Sequence, residues 1–372
     1  FNNLGTIEFS GGLSGLNNST KNFDDDSGTI IISAGTFNNL GTNSDHSFYS
    51  LTVTGATYAT AGLLTVNNVF NTVGGTVTLL NDGSLMQSAS ADNSLATINV
   101  QRPGNNNFRE FTYWSSPVDG ETPADVFPNS LPSDFYYFDP DNMVGSDSMT
   151  AWTAGNLNAN FEVGRGYVMT PNTNFDPDTG PHGSETHTFR GEPHNGTISS
   201  FPIKANANVL RSFNLVGNPY PSGLDIATFL AANNTIVTGA LYVWDADDLG
   251  EANGDYVIRA SGTIASGQSF MIQEINGGGT LSFTNAMRTA TNNTFVRQAP
   301  MYAEAYFSVE NGEGFSKQTQ LNFNPESSIG YDPFYDPANI NLRKHVQFYT
   351  LNDEEPGEFA IQGLGALDTI KR

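Results

Sequence analysis

The sequence predicts an all-β protein: N-terminal β-solenoid-like repeats, two duplicated β-sandwich-like modules, and a partial C-terminal β-sandwich. Three observations carry this prediction. Charged residues make up 14% of the 372-residue chain, while Gly numbers 38. Long helices normally draw on Ala, Leu, Glu, Lys and Arg, so this composition favours strands and turns. The hexapeptide Phe1-Asn-Asn-Leu-Gly-Thr6 recurs letter for letter as Phe37-Asn-Asn-Leu-Gly-Thr42, and a longer pattern around Phe111 returns around Phe213. The organisation expected is residues 1–100 as solenoid, 101–205 and 206–297 as the two copies, and 298–372 as an incomplete β domain.

In the first hundred residues a looser copy, Phe70-Asn-Thr-Val-Gly-Gly-Thr76, follows the two identical ones. Repetition at 33 to 36 residues signals stacked units. Short alternating strands are expected at Gly5–Phe9, Gly28–Ile32, Ser50–Val53, Leu63–Val66 and Thr76–Leu80. The Asn- and Gly-rich turns between them suit solenoid corners, which need left-handed backbone. A small Greek-key sandwich is the competing architecture. A solenoid here serves as a stalk or presents a groove for sugar, and a stalk is the simpler expectation.

The middle of the chain is organised around Phe213-Asn-Leu-Val-Gly-Asn-Pro-Tyr-Pro-Ser-Gly-Leu-Asp225. An apolar strand stops at Gly217 and meets Pro219 and Pro221, which fix φ and cannot donate to a ladder, so they mark a rigid exit. Phe111-Thr-Tyr-Trp-Ser-Ser-Pro-Val118 repeats the construction 102 residues earlier. The alignment extends: Phe135–Asp139 matches Leu241–Asp245, Val163–Met169 matches Ser266–Ile272, and Thr186–Phe189 matches Thr280–Phe283. Leu224–Ala232 is the best helix candidate, with Asp225 as its N-cap. The first copy has the shorter Pro123–Phe127 there. Trp114, Trp152 and Trp244 are expected in sandwich cores.

The phrases Phe213–Ser222, Ile264–Phe270, Phe283–Arg288, Gly312–Thr319 and Tyr331–Asp336 resemble the C-terminal region of large surface proteins of gliding and marine Bacteroidetes. That resemblance spans roughly residues 108–367. It implies export by the type IX secretion system through a C-terminal sorting domain. It also implies the secretion translocon and its associated outer-membrane proteins as partners, and an extracellular or outer-surface location. In that family further strands and the export signal follow a segment like Phe359–Leu364, so a signal that is incomplete or absent in this stretch is expected. The resemblance says nothing about a ligand.

The most chemical feature is the pair of acidic loops that follow the aromatic strands. Asp245, Asp247, Asp248 and Asp255, with intervening glycines, supply oxygen ligands of the kind calcium takes. Leu249 and Tyr256 depart from the EF-hand template, and solvated Asx-turns have the same composition. Asp139 and Asp141 form a thinner version. No cofactor other than calcium is suggested. Histidines His182, His187 and His194 cluster in sequence, but their spacing matches no zinc motif and the stretch reads as a loop. No nucleophile elbow or phosphate-binding loop occurs, and no carboxylate pair is singled out for glycoside hydrolysis. The chain is therefore expected not to be an enzyme. Asp147-Ser-Met149 and Asp368-Thr-Ile370 resemble the O-glycosylation acceptor of Bacteroidetes, which marks Ser148 and Thr369.

Whole-chain numbers bound the rest. Fifteen Lys and Arg against 38 Asp and Glu give a formal charge of −23, which disfavours nucleic acid and anionic membrane faces. Cysteine is absent, as suits a large extracellular bacterial β protein. No apolar run is long enough to span a bilayer. The chain begins at Phe1 without a signal peptide, so an excerpt of something longer is expected. These features favour a secreted or cell-surface adhesin-like structural protein. The rival is a carbohydrate-binding accessory region of a polysaccharide-degrading enzyme, with surface polysaccharide as partner. A cargo held by the export machinery is a third possibility.

Overall fold

A computed structural model describes residues 3–11, 23–39, 45–104, 111–128, 130, 132–143, 148–169, 185–206, 212–245, 255–290, 303–310, 316–323, 348–351, 358–359 and 361–364. The fold is all-β with a β-solenoid at its N-terminal end. Parallel strands Thr6–Phe9, Phe23–Ile32, His46–Val53, Leu63–Val66 and Ser84–Gln87 follow one another across one sheet. Gly35–Asn39, Ala56–Thr60, Thr76–Leu79 and Ile98–Gly104 do the same across the opposite sheet. Alternation puts Leu51, Val53, Tyr58, Leu64, Val66, Val77 and Leu79 between the sheets, where all are buried. The returns into Gly35–Asn39, Ala56–Thr60 and Thr76–Leu79 use left-handed glycines, with φ of 85° at Gly35, 65° at Gly55 and 84° at Gly74. A Cβ on Gly55 would sit 2.8 Å from the Ser33 carbonyl oxygen, so only glycine turns there without strain.

The coil is shorter than the sequence repeat. Gly35 pairs with Ala56, Thr57 with Thr76 and Val77 with Ile98, steps of 21, 19 and 21 residues. The hexapeptide spacing of 36 is therefore not one coil. Phe37 lies in the second sheet and Phe70, in strand Val69–Asn71, in the first. Both are buried. The repeated phrase marks aromatic core positions on different sides of the coil.

The second sheet does not stop with the solenoid. Glu185–Pro193, the last strand of the first copy, pairs antiparallel along Ile98–Gly104, and Val118–Asp119 pairs beyond it. One core runs from Ile30 of the solenoid through Trp114, Phe127, Phe135 and Phe189 of the first copy. The stretch expected as a histidine loop is thus a strand from Glu185 onward, because Phe189 must face that core. His182 lies outside the described residues.

The duplication is visible in topology. The first copy orders its sheet Thr112–Trp114, Tyr167–Met169, Phe135–Phe138, Trp152–Ala154, and the second orders its own Phe213–Gly217, Ser269–Glu274, Val237–Asp245, Asp255–Arg259. Register is conserved between them: Trp114 pairs with Tyr167 as Val216 pairs with Phe270, and Tyr136 with Val168 as Tyr242 with Met271. The two sheets share a core of Tyr113, Phe138, Val168, Phe213, Leu215, Tyr242 and Met271. In it Tyr113 stacks on Trp244 at 5.4 Å and hydroxyls of Tyr113 and Tyr256 meet at 2.7 Å. Two isolated antiparallel bridges, Trp114 with Gln268 and Arg165 with Val216, interchange when the copies are exchanged. So do the bonds Ser115 N–H to Gly267 carbonyl (2.9 Å) and Gly217 N–H to Gly164 carbonyl (3.0 Å). The copies form one body with a local two-fold axis.

The expected helix of the second copy is present, and the shorter first-copy stretch, open between helix and loop from sequence, is a single helical turn. Thr122 caps Pro123–Val126, and Asp225 caps Ile226–Ala232 by accepting from the Thr228 N–H at 2.8 Å. Near the C-terminus, Ala303–Glu310 and Ser316–Phe323 pair antiparallel, and Ile361–Leu364 adds parallel to the latter. The Pro-Asp-rich stretch 324–341 lies outside the described residues.

Candidate functional site

The Pro-turn that organises the second copy is a docking element. Asn218 fixes it from within: its Nδ2 donates to the carbonyls of Ser222 (2.8 Å), Ile264 (3.2 Å) and Ala265 (3.1 Å), while its Oδ1 accepts the Tyr220 N–H (3.0 Å). Prolines have no N–H, so the turn offers carbonyls outward. Pro221 accepts the N–H of Leu85 at 2.7 Å. Leu85 belongs to Ser84–Gln87, the last strand of the first solenoid sheet. The solenoid is thus met edge-on by the second copy.

The carbonyls of that strand are taken by side chains. Arg288 Nη2 donates to the Leu85 carbonyl at 2.6 Å, Asn285 Nδ2 to Gln87 at 2.8 Å, and Asn195 Nδ2 to Ser88 at 2.7 Å. Arg288 also reaches Ser222 (3.1 Å) and Asn195 (2.7 Å), and lies 4.9 Å from the centre of the Tyr220 ring. Its acceptors are neutral, and burial draws the guanidinium down to about 10. A bare strand edge templates aggregation, and here polar side chains close it. His194 packs under the same turn. Its Nδ1 lies 2.9 Å from the Pro219 carbonyl; a carbonyl can only accept, so Nδ1 carries the proton. Burial holds its pKa below the usual histidine value.

The acidic residues singled out from sequence are distributed as follows. Asp139 and Asp141 sit around a short 3₁₀ turn, where Asp139 accepts the Asp141 N–H. Lys204, from outside that loop, places its Nζ 2.7 Å from Asp139 and 2.6 Å from Asp141. Both bonds raise the Lys204 pKa. In this copy the cation between the carboxylates is therefore a side-chain ammonium, which the spacing of the aspartates alone did not reveal. In the second copy Asp245 and Asp255 are cross-strand partners at the ends of the longer loop, and Asp247 and Asp248 lie outside the described residues. Among the described residues no three His, Asp or Glu side chains converge as a metal cluster. Ser148 begins a 3₁₀ turn, Ser148–Ala151, and Thr369 lies outside the described residues.

The described histidines are structural in placement. His187 packs against Trp114 (5.2 Å) and Phe127 (4.7 Å). His46 is buried in the solenoid with its Nδ1 2.8 Å from the Tyr58 hydroxyl. Sequence reasoning missed Arg288 and Asn285 as contact residues, although both fall in a phrase that stood out, Phe283–Arg288. Nothing local says that a buried arginine faces a strand two hundred residues away.

No helix among the described residues is long and apolar enough to cross a membrane. A family model described as a domain of unknown function, DUF8693, matches residues 21–256 and 249–368. No curated protein and no solved structure matches the chain.

Proposed function

The chain belongs to the DUF8693 family, and we propose that it is a non-catalytic, adhesin-like structural protein of the bacterial surface, exported by the type IX pathway. The observation that carries this reading is the closure of the solenoid edge by Pro221, Asn285 and Arg288. A solenoid sealed at one end by a rigid two-fold body suits an extended element held at a fixed base. The resemblance of the Pro-turn and Phe283–Arg288 phrases to exported Bacteroidetes proteins supplies the route. The net charge of −23 accords with solubility outside the cell.

Calcium at the Asp245–Asp255 loop belongs to the same reading, with Asp247 and Asp248 as further ligands. The cross-strand register of Asp245 and Asp255 supports it by bringing the two ends of the loop opposite one another. Ser148 and Thr369 are its O-glycan acceptors. The test is protease shaving and antibody labelling of intact source cells, with and without a functional type IX translocon. Surface exposure lost with the translocon is expected. A protein found in the cytoplasm, or on the surface regardless of the translocon, contradicts the reading.

A further inference from the structure

The first copy carries an open cleft beside its short helix. In the second copy Phe229 of the helix Ile226–Ala232 lies 5.5 Å from Phe270 and stacks on Phe283 at 5.2 Å. The corresponding helix of the first copy, Pro123–Val126, is a turn shorter. In the first copy Phe161 packs on Tyr167, the counterpart of Phe270, at 5.2 Å, and Tyr167 also lines the open cleft, of about 260 Å³. Tyr137, Asn156, Asn160, Glu162 and Arg165 complete its working walls.

These groups have a specific chemistry. Arg165, where the second copy has Gln268, binds Glu162 through Nε at 2.6 Å, which leaves its two Nη groups as donors. Its guanidinium lies 5.1 Å from the Tyr137 ring centre and 4.0 Å from that of Phe201, which holds it flat. Asn156, on the wall of the cleft, spends its Oδ1 on the Asn158 N–H at 3.0 Å, which leaves its Nδ2 as the donor. The Phe135 ring beneath stacks on Tyr167 at 5.1 Å and 13°, giving a rigid apolar floor. Two cations face three carboxylates here: Arg165 binds Glu162, and Lys204 joins both Asp139 and Asp141.

We propose that this cleft is a binding site for one neutral pyranose unit of a glycan. A guanidinium, a carboxylate and two amides match the alternating donors and acceptors of vicinal hydroxyls, and the half-buried Tyr137 with the edges of Phe135 and Tyr167 gives the ring an apolar border. A cleft with one net negative charge on a strongly acidic chain selects against uronic and sulfated sugars. This goes beyond the export reading and stands without it, since it concerns the purified protein alone.

The test is saturation-transfer NMR and calorimetry on the whole chain with glucose-, galactose- and mannose-based oligosaccharides, and with a glucuronate oligosaccharide as comparison. Binding to at least one neutral series is expected, weakened roughly five- to tenfold in each of Asn160→Ala and Glu162→Gln. Both positions are solvent-exposed, and circular dichroism checks that both variants fold. Failure of every neutral sugar to bind overturns the proposal. So does binding unchanged in both variants, or tighter binding of the glucuronate series.

Discussion

A Cβ placed on Gly217 would lie 2.1 Å from the Cβ of Ser115, and these two residues hold the same position in the two copies. Gly166 and Ser269 repeat the relationship: equivalent in the alignment, they would bring Cβ atoms within 2.8 Å. Residues that meet their own counterparts sit on the local two-fold axis. Two full side chains cannot share that space, so each pair is one glycine and one serine.

Gly217→Ala should therefore destabilise the protein by roughly 2–3 kcal/mol through overpacking. Adding Ser115→Gly to it moves the small residue across the axis and should restore most of that loss. Ser115→Ala should be near neutral, because the Ser115 hydroxyl is buried without a partner. Urea denaturation of Gly217→Ala, Ser115→Gly and the double variant reads the coupling directly. Additive costs in the double variant would sink the axis assignment.

Arg288→Lys keeps the charge but not the three-way reach to Leu85, Asn195 and Ser222. A cation then remains buried with acceptors unmet, at a cost of roughly 2–4 kcal/mol. Limited proteolysis should cut first between the solenoid and the second copy. Unchanged stability would mean that the edge closure is ornamental.

Stability should fall on both sides of mild acidity. Burial holds His46 to about 4 against 6.5, with Asp45 partly opposing. A histidine with a depressed folded value contributes stability that is full above 6.5 and is lost as pH falls through 4, here roughly 1–3 kcal/mol. Burial first, and Asp125 second, raise Glu121 to about 8. For a carboxyl shifted that way the sign reverses: its contribution is full below 4.5 and disappears as pH rises through 8. Melting midpoints at pH 4, 6.5 and 9 should show His46→Phe flattening the acid limb and Glu121→Gln the alkaline one. Limbs unmoved by these substitutions would exclude the two groups as their source.

Calcium should bind chelator-treated protein in calorimetry, and Asp247→Asn with Asp248→Asn should abolish it. Asp139→Asn should leave the titration unchanged, since Lys204 already neutralises that carboxylate at 2.7 Å. A flat wild-type titration removes calcium from the account.

Much of the architecture was legible because its signals are local. The Pro-turn, the capping Asp225 and the alternating aromatics each act over a few residues, and they pointed to the all-β fold, the duplication and the second-copy helix. The coil length was not legible. Phe37 and Phe70 repeat as core positions while the strands stack every 19 to 21 residues, so the letters mark burial and not geometry. The pairing of Glu185–Pro193 with Ile98–Gly104 and the reach of Arg288 to Leu85 were hidden for another reason. Both depend on partners far away in sequence, and a buried arginine looks like a surface one until its acceptors are known. Lys204 was missed likewise, as a lone lysine sixty residues from the aspartates it joins.

The central claim is that the second copy seals the solenoid edge, and hydrogen exchange at Leu85 tests it most directly. Its amide donates to Pro221 at 2.7 Å and should exchange slowly in the native chain. In Arg288→Ala it should speed up on the order of a hundredfold, while amides of Leu64, in the neighbouring strand, stay protected. Fast exchange at Leu85 in the native protein, or no response to Arg288→Ala, would contradict the claim.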